Sequence, residues 1–147
     1  MLPIEIAIAS PLKVLGFRKK SRTWWRTTED TICVLNLQKS PFGERLYVNL
    51  GVYLRVLGSD LNPPENQCHV RVRLERIASD QCWNEIASAE ATIDPSEGLV
   101  AAILGDGVSW LNQVSTLDGI ASFIRTGGAS MGLVMTTAKR AVGCDDA

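Results

Sequence analysis

The chain has 147 residues, of which 46% are hydrophobic and 21% charged, with a formal net charge of -1. This is the composition of one globular domain, and at this length roughly 68–70% of the unfolded surface can be buried without help from disulfides or metal. A disordered tail, a collagen-like repeat and a disulfide-stapled miniprotein are excluded.

The longest apolar run, Leu99–Leu104, has six residues, far short of the roughly 18–20 that span a bilayer. The N-terminus carries Glu5 early and no basic residue before Lys13. A secretory signal has the opposite order, so residues 1–16 are read as part of the fold. Cys33, Cys68, Cys82 and Cys144 include no C-x-x-C pair. They read as isolated, mostly buried thiols in a reducing cytoplasm, and neither a metal nor a cofactor is expected. Residues 1–76 hold 12 Lys/Arg against 7 Asp/Glu (+5), whereas residues 77–147 hold 3 against 9 (−6). Two layers that partly neutralise each other are expected, and the slightly acidic total argues against a nucleic-acid domain.

In chain order, Ile4, Ile8, Leu12 and Leu15 have the spacing of a helix over residues 1–16 that Gly16 stops. Pro11 is expected to interrupt it, with Ser10 as an alternative N-cap. Four strand candidates follow: Phe17–Arg26, Thr31–Lys39, Leu46–Leu57 and Cys68–Ile77. The third is the clearest, with Leu46, Val48, Leu50, Val52, Leu54 and Val56 at every second position. Turn residues at Ser40–Gly43 and Gly58–Gln67 join them, which favours an antiparallel meander of four to five strands over residues 17–77. Residues 78–147 read as mainly helical, with starts at Asp94–Glu97 and Ser115–Asp118, a stop at Gly127-Gly128 and a last helix over Met131–Val142. The fold class is therefore α+β in a single domain, with the N-terminal and C-terminal helices packed on one face of the sheet.

If Leu and Val face the helices, the reverse face collects Asn36, Gln38, Tyr47, Asn49, Tyr53, Arg55, His69, Arg71 and Arg73, joined by Trp24 or Trp25. Amides, phenols and guanidinium groups form several directional hydrogen bonds each. Arg71 and Arg73 point the same way along one strand and suit a carboxylate or phosphate. Two readings stay open: the face receives an outside group, or residues 77–147 cover it. His69 is the one acid–base candidate, with Tyr47, Tyr53 or Asn49 as neighbours. A lone histidine at a strand start more often serves structure.

Gly128–Gly132 matches G-x-S-x-G, but no histidine follows Ser130, so it reads as a turn between helices. Gly105-Asp106-Gly107 lacks the third glycine of a dinucleotide loop. Trp83 and Trp110 read as core.

The runs Leu12–Lys20 and Thr23–Arg26, the central stretches Val34–Ser40 and Tyr47–Tyr53, and Cys68–Arg73 together resemble the bacterial family catalogued as domain of unknown function 4304. The resemblance covers about the first half and implies a small cytoplasmic α+β protein. It brings no activity, substrate or catalytic residue.

The preferred function is a non-catalytic binding module. It engages a protein partner (immunity- or antitoxin-like) or a small anionic ligand through Asn36, Gln38, Tyr47, Asn49, Tyr53, His69, Arg71 and Arg73. The alternatives are a small hydrolase or transferase, with His69 as acid/base and the two arginines holding an anionic substrate, and single-stranded nucleic-acid binding through Trp24, Trp25 and the Arg18–Arg26 cluster.

Overall fold

The computed structural model describes residues 1–145. Helix α1 (Pro3–Val14) leads into a sheet of β1 (Arg18–Lys20), β2 (Thr23–Thr27), β3 (Thr31–Lys39), β4 (Leu46–Leu54) and β5 (Val70–Arg73). There follow α2 (Leu74–Ile77), α3 (Trp83–Ala87), α4 (Glu97–Ala102), a π turn (Ile103–Gly107) and α5 (Val108–Gln113). Helix α6 (Leu117–Arg125), β6 (Leu133–Val134) and α7 (Thr136–Ala141) complete the described elements. The sheet is antiparallel throughout, with six strands in the order β1-β2-β3-β4-β5-β6. The fold is α+β, as the change of period along the chain implies. The sixth strand was missed because two residues carry no readable alternation.

The helical layer covers one face. Leu46, Val48, Leu50, Val52 and Leu54 bury on it with Trp24, Leu35, Leu37, Val70 and Val72, and Ile4, Ile8 and Leu12 come down from α1. Each such side chain withdrawn from water contributes about 2 kcal/mol. Helix α1 runs through Pro11 without interruption. The proline removes one backbone donor, yet the Leu15 N–H still donates to the Pro11 carbonyl at 3.1 Å. Ser96 and Thr116 cap α4 and α6 by accepting from the Leu99 and Gly119 N–H groups at 3.1 and 3.0 Å.

Several boundaries differ from those read in the sequence. Phe17–Arg26 is a hairpin, β1 and β2, turned at Ser21-Arg22 with Ser21 at φ 53°. The β4 strand stops at Leu54, because Arg55–Leu57 coil into a 3-10 turn, and Val56 is exposed. Cys68–Ile77 divides into β5 and the short α2. Met131–Val142 is not one helix: β6 occupies Leu133–Val134 before α7 begins. Trp110 is core, but Trp83 is 53% exposed at the first turn of a five-residue helix that seats only Ile86.

Candidate functional site

The strand register sorts the reverse face into rows. Thr23, Asn36, Asn49 and Arg73 stand side by side, as do Gln38 with Tyr47, and Trp25, Val34, Gly51, Arg71 and Leu133. Asn36, Gln38, Tyr47, Asn49, Tyr53, Arg71 and Arg73 therefore share one face, as expected, and of the two adjacent tryptophans Trp25 is the one on it. The face is divided in two.

One half is a second, smaller core. Trp25, Ile32, Val34, Tyr53 and Cys68 pack beneath residues 55–68, where the Trp25 indole N–H donates to the Pro63 carbonyl at 2.8 Å. Gly51 makes the close approach possible, since a Cβ there would lie 2.8 Å from that of Cys68. This half is closed by the chain itself, though by the 55–68 segment and not by residues 77–147. The signal for it lay in Ile32 and Val34, which share the face with Asn36 and Gln38 and are apolar.

Tyr53 and His69 belong to this closed half. Their rings lie 4.6 Å apart, and the Leu54 N–H donates to His69 Nδ1 at 2.9 Å. The ring is 8% exposed, and burial lowers its pKa. A neutral imidazole whose Nδ1 accepts a backbone proton serves as a strand-end cap. Arg55 lies past the strand end, donating to the Thr28 and Glu29 carbonyls at 2.9 and 3.1 Å.

The other half is an open cleft of about 600 Å³. Gln38, Arg45, Tyr47, Asn49, Glu65, Arg71, Arg73, Glu75 and Arg76 line it, and Ser130–Leu133 form one wall. Its floor is an amide ladder in which Asn49 Nδ2 donates to Asn36 Oδ1 at 3.3 Å and to Gln38 Oε1 at 2.9 Å. Asn36 Nδ2 in turn donates to Thr23 Oγ1 at 3.0 Å. Arg71 is already committed. Its Nε and Nη2 donate to Glu65 Oε1 and Oε2, both at 3.1 Å, and this pairing holds the guanidinium above its ordinary pKa. Arg73 stands differently. Its guanidinium lies 4.0 Å over the Tyr47 ring, and Arg45 lies 5.0 Å from the same ring.

Arg45, missed in the sequence because it precedes the strand, is fixed by an added backbone pairing. The Leu46 N–H donates to the Ala89 carbonyl at 3.0 Å and the Ala91 N–H to the Glu44 carbonyl at 2.7 Å. Arg45 pairs with Glu75 at 3.7 Å, yet Arg45 Nε and Glu75 Oε1 are buried without a hydrogen-bond partner among the described residues. Four arginines against two glutamates leave the lining at 4 − 2 = +2.

No ion pair among the described residues joins the basic and acidic halves. Glu5 with Lys19 and Arg22, Lys39 with Glu44, Arg45 with Glu75 and Arg71 with Glu65 all lie within 1–76. No acidic side chain from the helical half lines the cleft. Ser130 Oγ donates to the Gly127 carbonyl at 2.7 Å in a 3-10 turn, and Asp106 Oδ2 accepts from the Ser79 N–H at 3.0 Å. Gly128–Ser130 thus form a turn, whereas Gly105–Gly107 lie inside a continuous helical stretch, in its π segment. Among the described residues no group of three or more His, Cys, Asp or Glu is placed to hold a metal, and no helix is long and apolar enough to cross a membrane.

A family model described as domain of unknown function (DUF4304) matches residues 8–113. The chain belongs to that family. No curated protein and no solved structure matches it. The DUF4304 match contains β1–β5 and the four cleft arginines, whereas Ser130–Leu133, the wall beside β5, lies outside it.

Proposed function

We propose that the chain is a non-catalytic binding module whose open half-face receives an anionic group, a carboxylate or phosphate, of a small ligand or a protein partner of the immunity or antitoxin type. One observation carries this reading: Arg73 is exposed and braced on Tyr47, and it has no carboxylate partner among the described residues. A guanidinium held by stacking keeps its donor fork free and loses little side-chain entropy on binding. Arg45, 5.0 Å from the same Tyr47 ring, adds a second cation beside it. Hydrolytic chemistry at His69 has less support, since its Nδ1 is taken by the Leu54 N–H. Nucleic-acid stacking has less still, since Trp24 and Trp25 are both buried.

The test separates the neighbouring arginines. Citrate and phosphate, followed by the NMR signals of the arginine side chains, should shift Arg73, and Arg73→Ala should abolish the response while changing stability by less than about 0.5 kcal/mol. Arg71→Ala should destabilise by about 2 kcal/mol, because it leaves Glu65 buried with its charge uncompensated. Anions that bind Arg73→Ala as tightly as the unaltered chain, or that shift no cleft arginine, would overturn the proposal.

A further inference from the structure

The basic half of the chain concentrates its charge at one edge of the molecule. Residues 1–28 hold six Lys/Arg and a single acid, 6 − 1 = +5, which is the whole excess of residues 1–76. That acid is no counterweight at the surface. Glu5 is 4% exposed and lies between Lys19 and Arg22, at 3.1 and 3.9 Å. The outer strand of the sheet, β1, is Arg18-Lys19-Lys20 and is exposed along its length.

Helix α1 borders this strand. Its inner positions Ile4, Ile8 and Leu12 are buried, whereas Ile6, Ser10, Lys13 and Val14 face outward, Ile6 65% and Val14 85% exposed. Where the helix passes β1, the small side chains of Ala9 and Ser10 leave a groove of about 440 Å³ that Lys13, Arg18 and Lys19 also line. Helix and strand thus present one surface, cationic and partly aliphatic. What suits it follows from its composition. Nucleic acid gains from rings that stack on bases, and Trp24 and Trp25 are buried. Protein interfaces are depleted in lysine and anchored by aromatic or arginine side chains. Here Lys13, Lys19 and Lys20 are three of the four exposed cations, and the exposed apolar groups are separate aliphatic chains. An anionic bilayer requires neither stacking nor a pocket. Lysines act on it as point charges, and aliphatic side chains enter the boundary between headgroups and acyl chains.

We propose that this edge, α1 with β1, docks on the surface of an anionic phospholipid bilayer. Lys13, Arg18 and Lys20 face the headgroup phosphates, and Ile6 and Val14 reach the acyl boundary. The helix lies along the bilayer and does not cross it. Arg73 stands on β5, four strands from β1, so the anion cleft takes no part.

Sedimentation with lipid vesicles tests this. The chain should bind vesicles containing phosphatidylglycerol, leave phosphatidylcholine vesicles alone, and dissociate as salt is raised. Lys13 and Lys20 are exposed and form no ion pair among the described residues. Replacing both, Lys13→Gln with Lys20→Gln, should weaken vesicle binding about thirtyfold, about fivefold for each lost charge. Ile6→Ser with Val14→Ser should weaken it at least about fivefold, and Arg73→Ala should leave it unchanged. If the serine variant does not fold, the lysine variant and the salt series on the unaltered chain still decide. No binding to phosphatidylglycerol vesicles, equal binding to phosphatidylcholine, or binding indifferent to the lysine substitutions would each overturn the proposal. So would polyphosphate binding as tight as that to vesicles and insensitive to the serine substitutions, which would mark a site for soluble polyanions. Vesicle binding lost in Arg73→Ala would place the lipid phosphate in the cleft and overturn it as well.

Discussion

At the scale of single residues, polar side chains on one sheet face have separate fates set by what lies over them. His69 and Asn49 are both buried, but Asn49 donates into an amide ladder in the open half whereas His69 accepts a backbone proton under the 55–68 segment. Burial depresses the His69 pKa below its ordinary 6.5. The sign follows from linkage: the unfolded chain protonates His69 near pH 6.5, and the folded chain does so only at lower pH. Stability from the neutral ring is therefore complete above pH 6.5 and is lost as pH falls toward the folded value. Protonating Nδ1 also breaks the bond from Leu54. Denaturant midpoints between pH 8 and pH 5 should fall for the unaltered chain. His69→Ala should be less stable by about 2 kcal/mol at pH 8 and show a shallower decline across the window. An equal decline in both would assign the acid sensitivity elsewhere. Glu5 is excluded at these pH values, since burial raises its pKa but the Leu2 N–H and Lys19 outweigh that and hold it below 4.5.

At the scale of elements, Pro11 shows where local rules give way to packing. Sequence reading expects a break, because proline lacks the donor and crowds the preceding turn. The helix persists because Ile8 and Leu12, on either side, are both fully buried and hold it against the sheet. Pro11→Ala should restore the missing bond to the Ala7 carbonyl and raise stability by about 1–2 kcal/mol, partly offset by a more flexible unfolded chain. A lower melting temperature would mean that the ring itself packs usefully. The same contrast explains what could be read beforehand. The period of two running from Leu46 gave strand and face together, and with them the shared face of Asn36, Asn49 and Arg73, though not the register between strands. What escaped was information held by partners distant in sequence. The Ser21-Arg22 turn hides inside a basic run, β6 exists only because β5 offers it an edge, and Arg71 reads as a free guanidinium until Glu65 comes across from a loop. Arg45 reads as a loop charge until residues 89–91 pin it.

At the scale of the whole molecule, the sheet separates two apolar clusters of unequal size. The larger joins α1, the strands and the C-terminal helices. The smaller holds five residues and is closed by one connection. Stability is not uniform in such an arrangement, and a region with few apolar contacts opens with less free energy than the main core. Two cysteines report the two sides. Cys33 is fully buried toward the helices, with its thiol on the Leu111 carbonyl at 3.4 Å, and Cys68 is equally buried under the loop. Burial raises both thiols above their ordinary pKa, that of Cys68 strongly, so neither reacts until its cover lifts. With Cys82 and Cys144 replaced, thiol labelling in rising denaturant should modify Cys68 well before global unfolding, and Cys33 only with it. Trp25→Ala should widen that gap by removing the indole that ties the connection down through Pro63. Because Glu65 rides on the same connection and holds Arg71, opening it also frees a second guanidinium in the cleft. Anion affinity and Cys68 labelling should then rise together in Trp25→Ala. If Cys68 and Cys33 became reactive at one denaturant concentration, the two clusters would form a single cooperative unit and the link between loop opening and the cleft would be lost.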